Sequence, residues 1–133
     1  MSDELIKNQL RQSPVMATDA NIKDLVRVYI EENENDFIKI GEWNVSQVTM
    51  MSELFAEYDE FNEDISGWDV SKVENMSGMF SETNNFNQDI SKWNVSNVKD
   101  MSYMFDAAKS FNVNISGWNV SNVVIQFRTG TVK

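Results

Sequence analysis

The chain has 133 residues, a formal net charge of -10, and neither Cys nor His. Disulfides, the usual nitrogen and sulfur metal ligands and the commonest general acid-base group are therefore excluded, and most enzyme classes lose their leading residues with them. A single domain of this length buries roughly two-thirds of its unfolded surface and folds without a staple.

In chain order, residues 1–17 are polar, hold the only proline, Pro14, and read as a mobile lead-in. They show no apolar run of signal-peptide length, and no later segment approaches a membrane span. As written the chain reads as cytoplasmic, with a cell-surface location only if a leader has been removed. A capping segment follows over 18–35. There Ile22, Leu25, Val26, Tyr29 and Ile30 recur at helical spacing behind Thr18 or Asp19, which predicts an amphipathic helix over about residues 19 to 33 that covers the first repeat.

Residues 36–123 are one motif written four times, the last copy incomplete. Trp43, Trp68, Trp93 and Trp118 stand 25 residues apart, each inside an Ile-x-x-Trp-x-Val segment such as Ile65 to Val70. That spacing matches the strand of a leucine-rich repeat with Trp in the central place, so each segment is expected to be a short strand. Beyond it Val73, Met76, Met79 and Phe80 fall on one side of a helix, and the same set recurs around Met51 and Met101. Ser71 with Glu74 reads as its capping box, with Ser46, Ser96 and Ser121 in equivalent places. Phe61, Phe86 and Phe111 dip inward, and Asn62, Asn87 and Asn112 behind them suit a stacked amide ladder. The expected fold is an α/β repeat: a leucine-rich-repeat-like solenoid with a short parallel strand and a short helix per coil, capped by an N-terminal helix.

After Ser121 the Met-x-x-Met-Phe element is missing, and 124–133 reads as an extended, β-prone tail. Three outcomes stay open: the tail folds over the last coil, the open edge pairs with a second copy to give a homo-oligomer, or the natural chain continues.

The whole charge imbalance sits between Glu31 and Asp64, where eleven acidic residues face Lys39 alone. Such a field repels nucleic acid and anionic membrane and attracts cationic proteins. On the expected strands the outward columns offer an interaction face of Ser66, Asp69, Ser91, Lys92, Asn94, Ser116 and Asn119. Asp59, Glu60, Glu63 and Asp64 form an acidic flank beside it. Asp64 and Asp89 share a column; oxygen-only ligands suit calcium, but no calcium-loop signature is present, and no cofactor or metal is expected. Asn-x-Ser triplets at Asn44, Asn75, Asn94, Asn114 and Asn119 match the glycosylation pattern and follow from the repeat itself.

The unit from Phe86 to Phe105, with its Trp, Val-Ser-x-Val, Met-x-x-Met-Phe and Phe-Asn elements, resembles the repeat of the BspA-like, mycoplasma-lipoprotein family over about residues 36 to 123. The helix from Ile22 to Glu32 is similar to the leader found before such repeats. The resemblance implies a right-handed solenoid that acts in binding or adhesion, often on microbial surfaces, and transfers no catalytic residue. The expected function is thus non-enzymatic interaction with another protein. Alternatives are an acidic inhibitor that mimics nucleic acid on a basic protein, and a self-assembling structural unit.

Overall fold

The computed structural model describes residues 2–125. Where the sequence suggested a lead-in, Asp3–Leu10 forms helix α1: Ser2 caps it by accepting the Leu5 N–H, and Asp3 and Glu4 sit where the helix dipole favours acids. Its polar composition hides one apolar pair at i and i+4, Ile6 and Leu10, both fully buried. Helix α2 runs Ile22–Glu32 and buries Ile22, Leu25, Val26, Val28 and Tyr29. Asn33 ends it by taking a left-handed φ of 48°.

Ion pairs hold α1 against α2 and the segment after it. Arg27 meets Asp3 at 3.0 Å, Lys7 meets Glu32 and Glu34 at 3.1 Å each, and Arg11 meets Glu34 at 2.6 Å and Asp36 at 2.9 Å. The Arg11 guanidinium also lies 5.8 Å from the centre of the Phe37 ring. Then Val15 and Ala17 pair through their backbones with Asn44, at 2.9 Å in both directions, which joins the cap to the first repeat.

The repeats overturn the expected strand-and-helix coil. Among the described residues there are two α-helices and one 3-10 turn, Ile40–Glu42, and no strand; parallel pairing is reduced to the isolated bridges Met16 to Asn44, Met50 to Asn75, Asn75 to Asp100 and Asp100 to Ile125. A leucine-rich-repeat solenoid with one strand per repeat is not what forms. The Ile-x-x-Trp segment cannot extend because the Trp68 N–H donates back to the Ile65 carbonyl at 3.1 Å, closing a turn, and Trp93 and Trp118 do the same. The Met-x-x-Met segment cannot be a helix because its third residue is left-handed: φ is 57° at Glu53, 61° at Gly78 and 57° at Tyr103. A second left-handed residue follows four places on, at Glu57, Glu82 and Ala107. Each occupies the third place of a four-residue turn, the place a type II turn gives to positive φ.

These turns stack. The N–H groups of Met51, Glu53, Phe55 and Glu57 donate to the carbonyls of Asn75, Ser77, Met79 and Ser81, at 2.8 to 2.9 Å. The intervening N–H groups of Leu54, Ala56 and Tyr58 close their own turns on Met51, Glu53 and Phe55. Alternate donors therefore serve the next coil and the local turn, and the following coils repeat the arrangement. These backbone donors find partners without a sheet or a helix.

The serines expected to cap helices belong to Asx turns instead. Ser46, Ser71, Ser96 and Ser121 donate their N–H groups to Asn44, Asp69, Asn94 and Asn119 at 3.0 to 3.1 Å. Inside the coils, Ile, Trp, Val, Met and Phe columns are buried almost completely, except for Val120 in the last described coil. Phe55 stacks on Phe61 at 4.2 Å within a coil and on Phe80 at 5.6 Å between coils, wider than the ~4.8 Å of paired strands. Asn62 Oδ1 accepts the Asn87 N–H and Asn87 Oδ1 accepts the Asn112 N–H, each at 2.9 Å, so the amide ladder forms. The expected tail lies outside the described residues beyond Ile125.

Candidate interaction site

Where α2 ends, its last turn and the 57–63 turn of the first coil face each other across a cleft of about 520 Å³. Tyr29, Ile30 and Asn33 form one wall; Tyr58 and Phe61 supply the apolar part of the other, with Glu57, Asp59, Glu60 and Glu63 around it. Among the described residues no Lys or Arg lines it. Asn33 is the C-cap of α2 and the last turn of that helix contains no basic residue, so the negative end of the helix dipole adds to the carboxylates.

Tyr29 fixes the geometry. Its hydroxyl donates to Glu63 Oε1 at 2.7 Å and accepts the Ile40 N–H at 3.2 Å, locking α2 to both sides of the first repeat. Burial first, and the bond to the Glu63 carboxylate second, push its pKa up to about 12. Tyr58 is half-buried, and burial followed by the charge of Glu31 raises its pKa as well. Both phenols stay neutral at physiological pH.

The acidic flank thus divides. Glu60 is exposed, and no ion pair reaches it or Glu57 among the described residues. Asp59 accepts from Asn84 Nδ2 at 2.6 Å, and Glu63 holds Tyr29. Asp64 faces a neighbouring cleft of about 500 Å³ with Lys39, Glu42 and Glu63. The run of acids in the sequence overstates the free field, because Glu32, Glu34 and Asp36 are paired in space with Lys7 of α1 and Arg11 at its end.

The residues expected to face a partner from a strand are engaged otherwise. Asp69, Asn94 and Asn119 accept from the serines two places on, and Ser66, Ser91 and Ser116 donate their N–H groups to Asp64, Asp89 and Asn114 at 2.9 to 3.0 Å. All lie at the surface with Lys92, in turns and not on a sheet face. The serine bonds hold the Asp64, Asp69 and Asp89 carboxyls below the usual range, so the stacked carboxylates stay ionised and satisfied within their turns. Among the described residues no group of three or more acidic side chains converges to hold a metal ion, and no helix is long and apolar enough to cross a membrane.

Sequence reasoning misses Tyr58 as a cleft residue. Its column holds Thr83 and Ala108 in the next two coils, both buried, and that break in the repeat is the one signal it leaves.

Stacked turn-built coils closed by a helical cap define a repeat protein. The chain belongs to the family described as Mycoplasma protein of unknown function, DUF285, which it matches over residues 23–129. No curated protein and no solved structure matches it.

Proposed function

We propose that this is a non-enzymatic protein-interaction or adhesion module that engages a cationic protein through its acidic side, in keeping with the kinship of its repeat to BspA-like proteins. One observation carries the reading: carboxylates and a helix C-terminus converge on a tyrosine-lined cleft to which no Lys or Arg among the described residues contributes. Opposite charge steers such a partner to the site, and the aromatic walls give it area to bury. The test is calorimetric titration with polylysine at low salt and at ~1 M salt, where the screening length is about 3 Å. Saturable binding at low salt that fades in the wild type and is weak in the Glu57→Gln, Glu60→Gln double variant supports the reading. Equal binding by both proteins removes it.

A second reading, end-to-end self-assembly, is favoured by the exposed apolar residues of the last described coil, where Val124 is 80 % exposed. Light scattering over a concentration series separates the two. The same charge read as nucleic-acid mimicry calls for a partner that releases DNA when this protein is added.

A further inference from the structure

The protein already holds a guanidinium elsewhere in its cap, and how it does so indicates what the cleft takes. Arg11 is gripped by carboxylates on two sides, Glu34 and Asp36, while its guanidinium rests near the Phe37 ring. Carboxylates around an aromatic face are the setting in which a guanidinium gains both paired hydrogen bonds and cation-π attraction. The cleft beyond Asn33 offers the same elements, with no Lys or Arg among the described residues lining it: the half-buried Tyr58 ring, with Glu57 and Glu60 beside it. Arg27, whose charge reaches Tyr58, is held by Asp3 at 3.0 Å and does not line the cleft.

Size agrees. About 520 Å³ lies within the range of roughly 300 to 1,000 Å³ typical of ligand clefts, ample for an arginine side chain with its flanking backbone. The cleft is open to solvent, so the segment that enters need not end there.

We infer that the cleft between α2 and the 57–63 turn is a docking site for an arginine-bearing segment of a partner protein, its guanidinium lying on Tyr58 and paired with Glu57 and Glu60. This rests on the cationic-partner reading and narrows it. Arginine is favoured over lysine because the planar guanidinium stacks on the phenol ring and spans two carboxylates, whereas an ammonium meets them as a point charge.

The experiment is fluorescence anisotropy of the full chain with labelled alternating glycine-arginine, glycine-lysine and glycine-citrulline peptides. Citrulline keeps the shape of arginine without its charge. The arginine peptide is expected to bind most tightly, lysine more weakly, and citrulline not at all. Tyr58→Ala and the Glu57→Gln, Glu60→Gln double variant are each expected to weaken arginine-peptide binding about tenfold, roughly 1.4 kcal/mol. Tyr58→Phe retains the ring and is expected to bind as the wild type does. Circular dichroism of each variant checks that the fold persists. Equal binding of arginine and lysine peptides, unaffected by Tyr58→Ala but weakened in the Glu57→Gln, Glu60→Gln double variant, overturns the arginine site and leaves the cationic-partner reading standing. No binding of either cationic peptide overturns both.

Discussion

The indole N–H of Trp68 donates to the carbonyl of Ile40 at 2.8 Å, twenty-eight residues earlier. Trp93 and Trp118 reach back in the same way to Ile65 and Ile90 at 3.1 Å, so each tryptophan both fills its own coil and pins the coil before it. Trp43 has no preceding coil and uses the Ile38 carbonyl instead. Trp93→Phe keeps a ring but removes the inter-coil bond to the Ile65 carbonyl, which then keeps only the Trp68 backbone N–H, at a cost of about 0.5 to 1.5 kcal/mol beyond any cavity. Urea denaturation with an unchanged m value is the measurement. A smaller loss is expected for Trp43→Phe, whose bond is only part-buried.

Left-handed residues carry the turns, and few of them are glycine. Ala107, at φ 57°, is strained in a conformation that glycine adopts freely. Ala107→Gly is expected to stabilise the protein by about 0.5 to 1 kcal/mol, against the usual direction of such a change. Gly78→Ala is expected to destabilise by a similar amount through its φ of 61°. Its new Cβ meets only the Glu53 side chain, at 3.1 Å, which can move. Thermal unfolding of both variants, read as opposite shifts in Tm, checks the pair.

Asp19 closes the stack at its first edge. In later coils the N–H groups of Glu74 and Asn75 donate to the Thr49 carbonyl; the equivalent N–H groups of Thr49 and Met50 have no earlier coil and donate to Asp19 Oδ1 at 2.8 and 3.2 Å. The Thr49 hydroxyl donates to Oδ2 at 2.6 Å. Burial works against the charge, but these bonds outweigh it and leave the Asp19 pKa below its usual value. A carboxyl with a lower pKa folded than unfolded stabilises fully above the unfolded value of about 4, and that contribution is lost as pH falls through the folded value. Asp19→Ala is therefore expected to cost about 1 kcal/mol at neutral pH, as other lost caps do. The gap to wild type should close as pH drops below the carboxylate range. A gap independent of pH contradicts the role.

Thr83 is the one fully buried polar side chain among the described residues, and its hydroxyl donates to the Phe55 carbonyl at 2.6 Å. Thr83→Val preserves shape and leaves that carbonyl only the Tyr58 N–H, so a loss of about 0.5 to 1.5 kcal/mol is expected in chemical denaturation.

Repeat length, the buried columns, the capping helix and the amide ladder were legible because apolar spacing and column identity survive any local conformation. Strand and helix were not. Ile-x-x-Trp-x-Val fits an extended segment as well as a turn, and apolar residues at positions 48, 51, 54 and 55 fit a helix as well as two tandem turns. The distinguishing sign was Gly78 at the position where Glu53 and Tyr103 stand, together with Asx-x-Ser recurring through each coil: both are turn chemistry. The acidic flank was visible as charge, but its division was not. Neutralisation of Glu34 by Lys7 and Arg11 depends on α1 folding back, and the Tyr29 to Glu63 bond joins residues 34 apart.

Chemical-shift mapping of the isotope-labelled protein, titrated with the glycine-arginine peptide, locates the interaction surface most directly. The expected result is perturbation confined to the amides of residues 29–33 and 57–63, saturating with the peptide. Perturbation centred on Asp69, Asn94 and Asn119, with the cleft unmoved, contradicts the acidic cleft as the binding site.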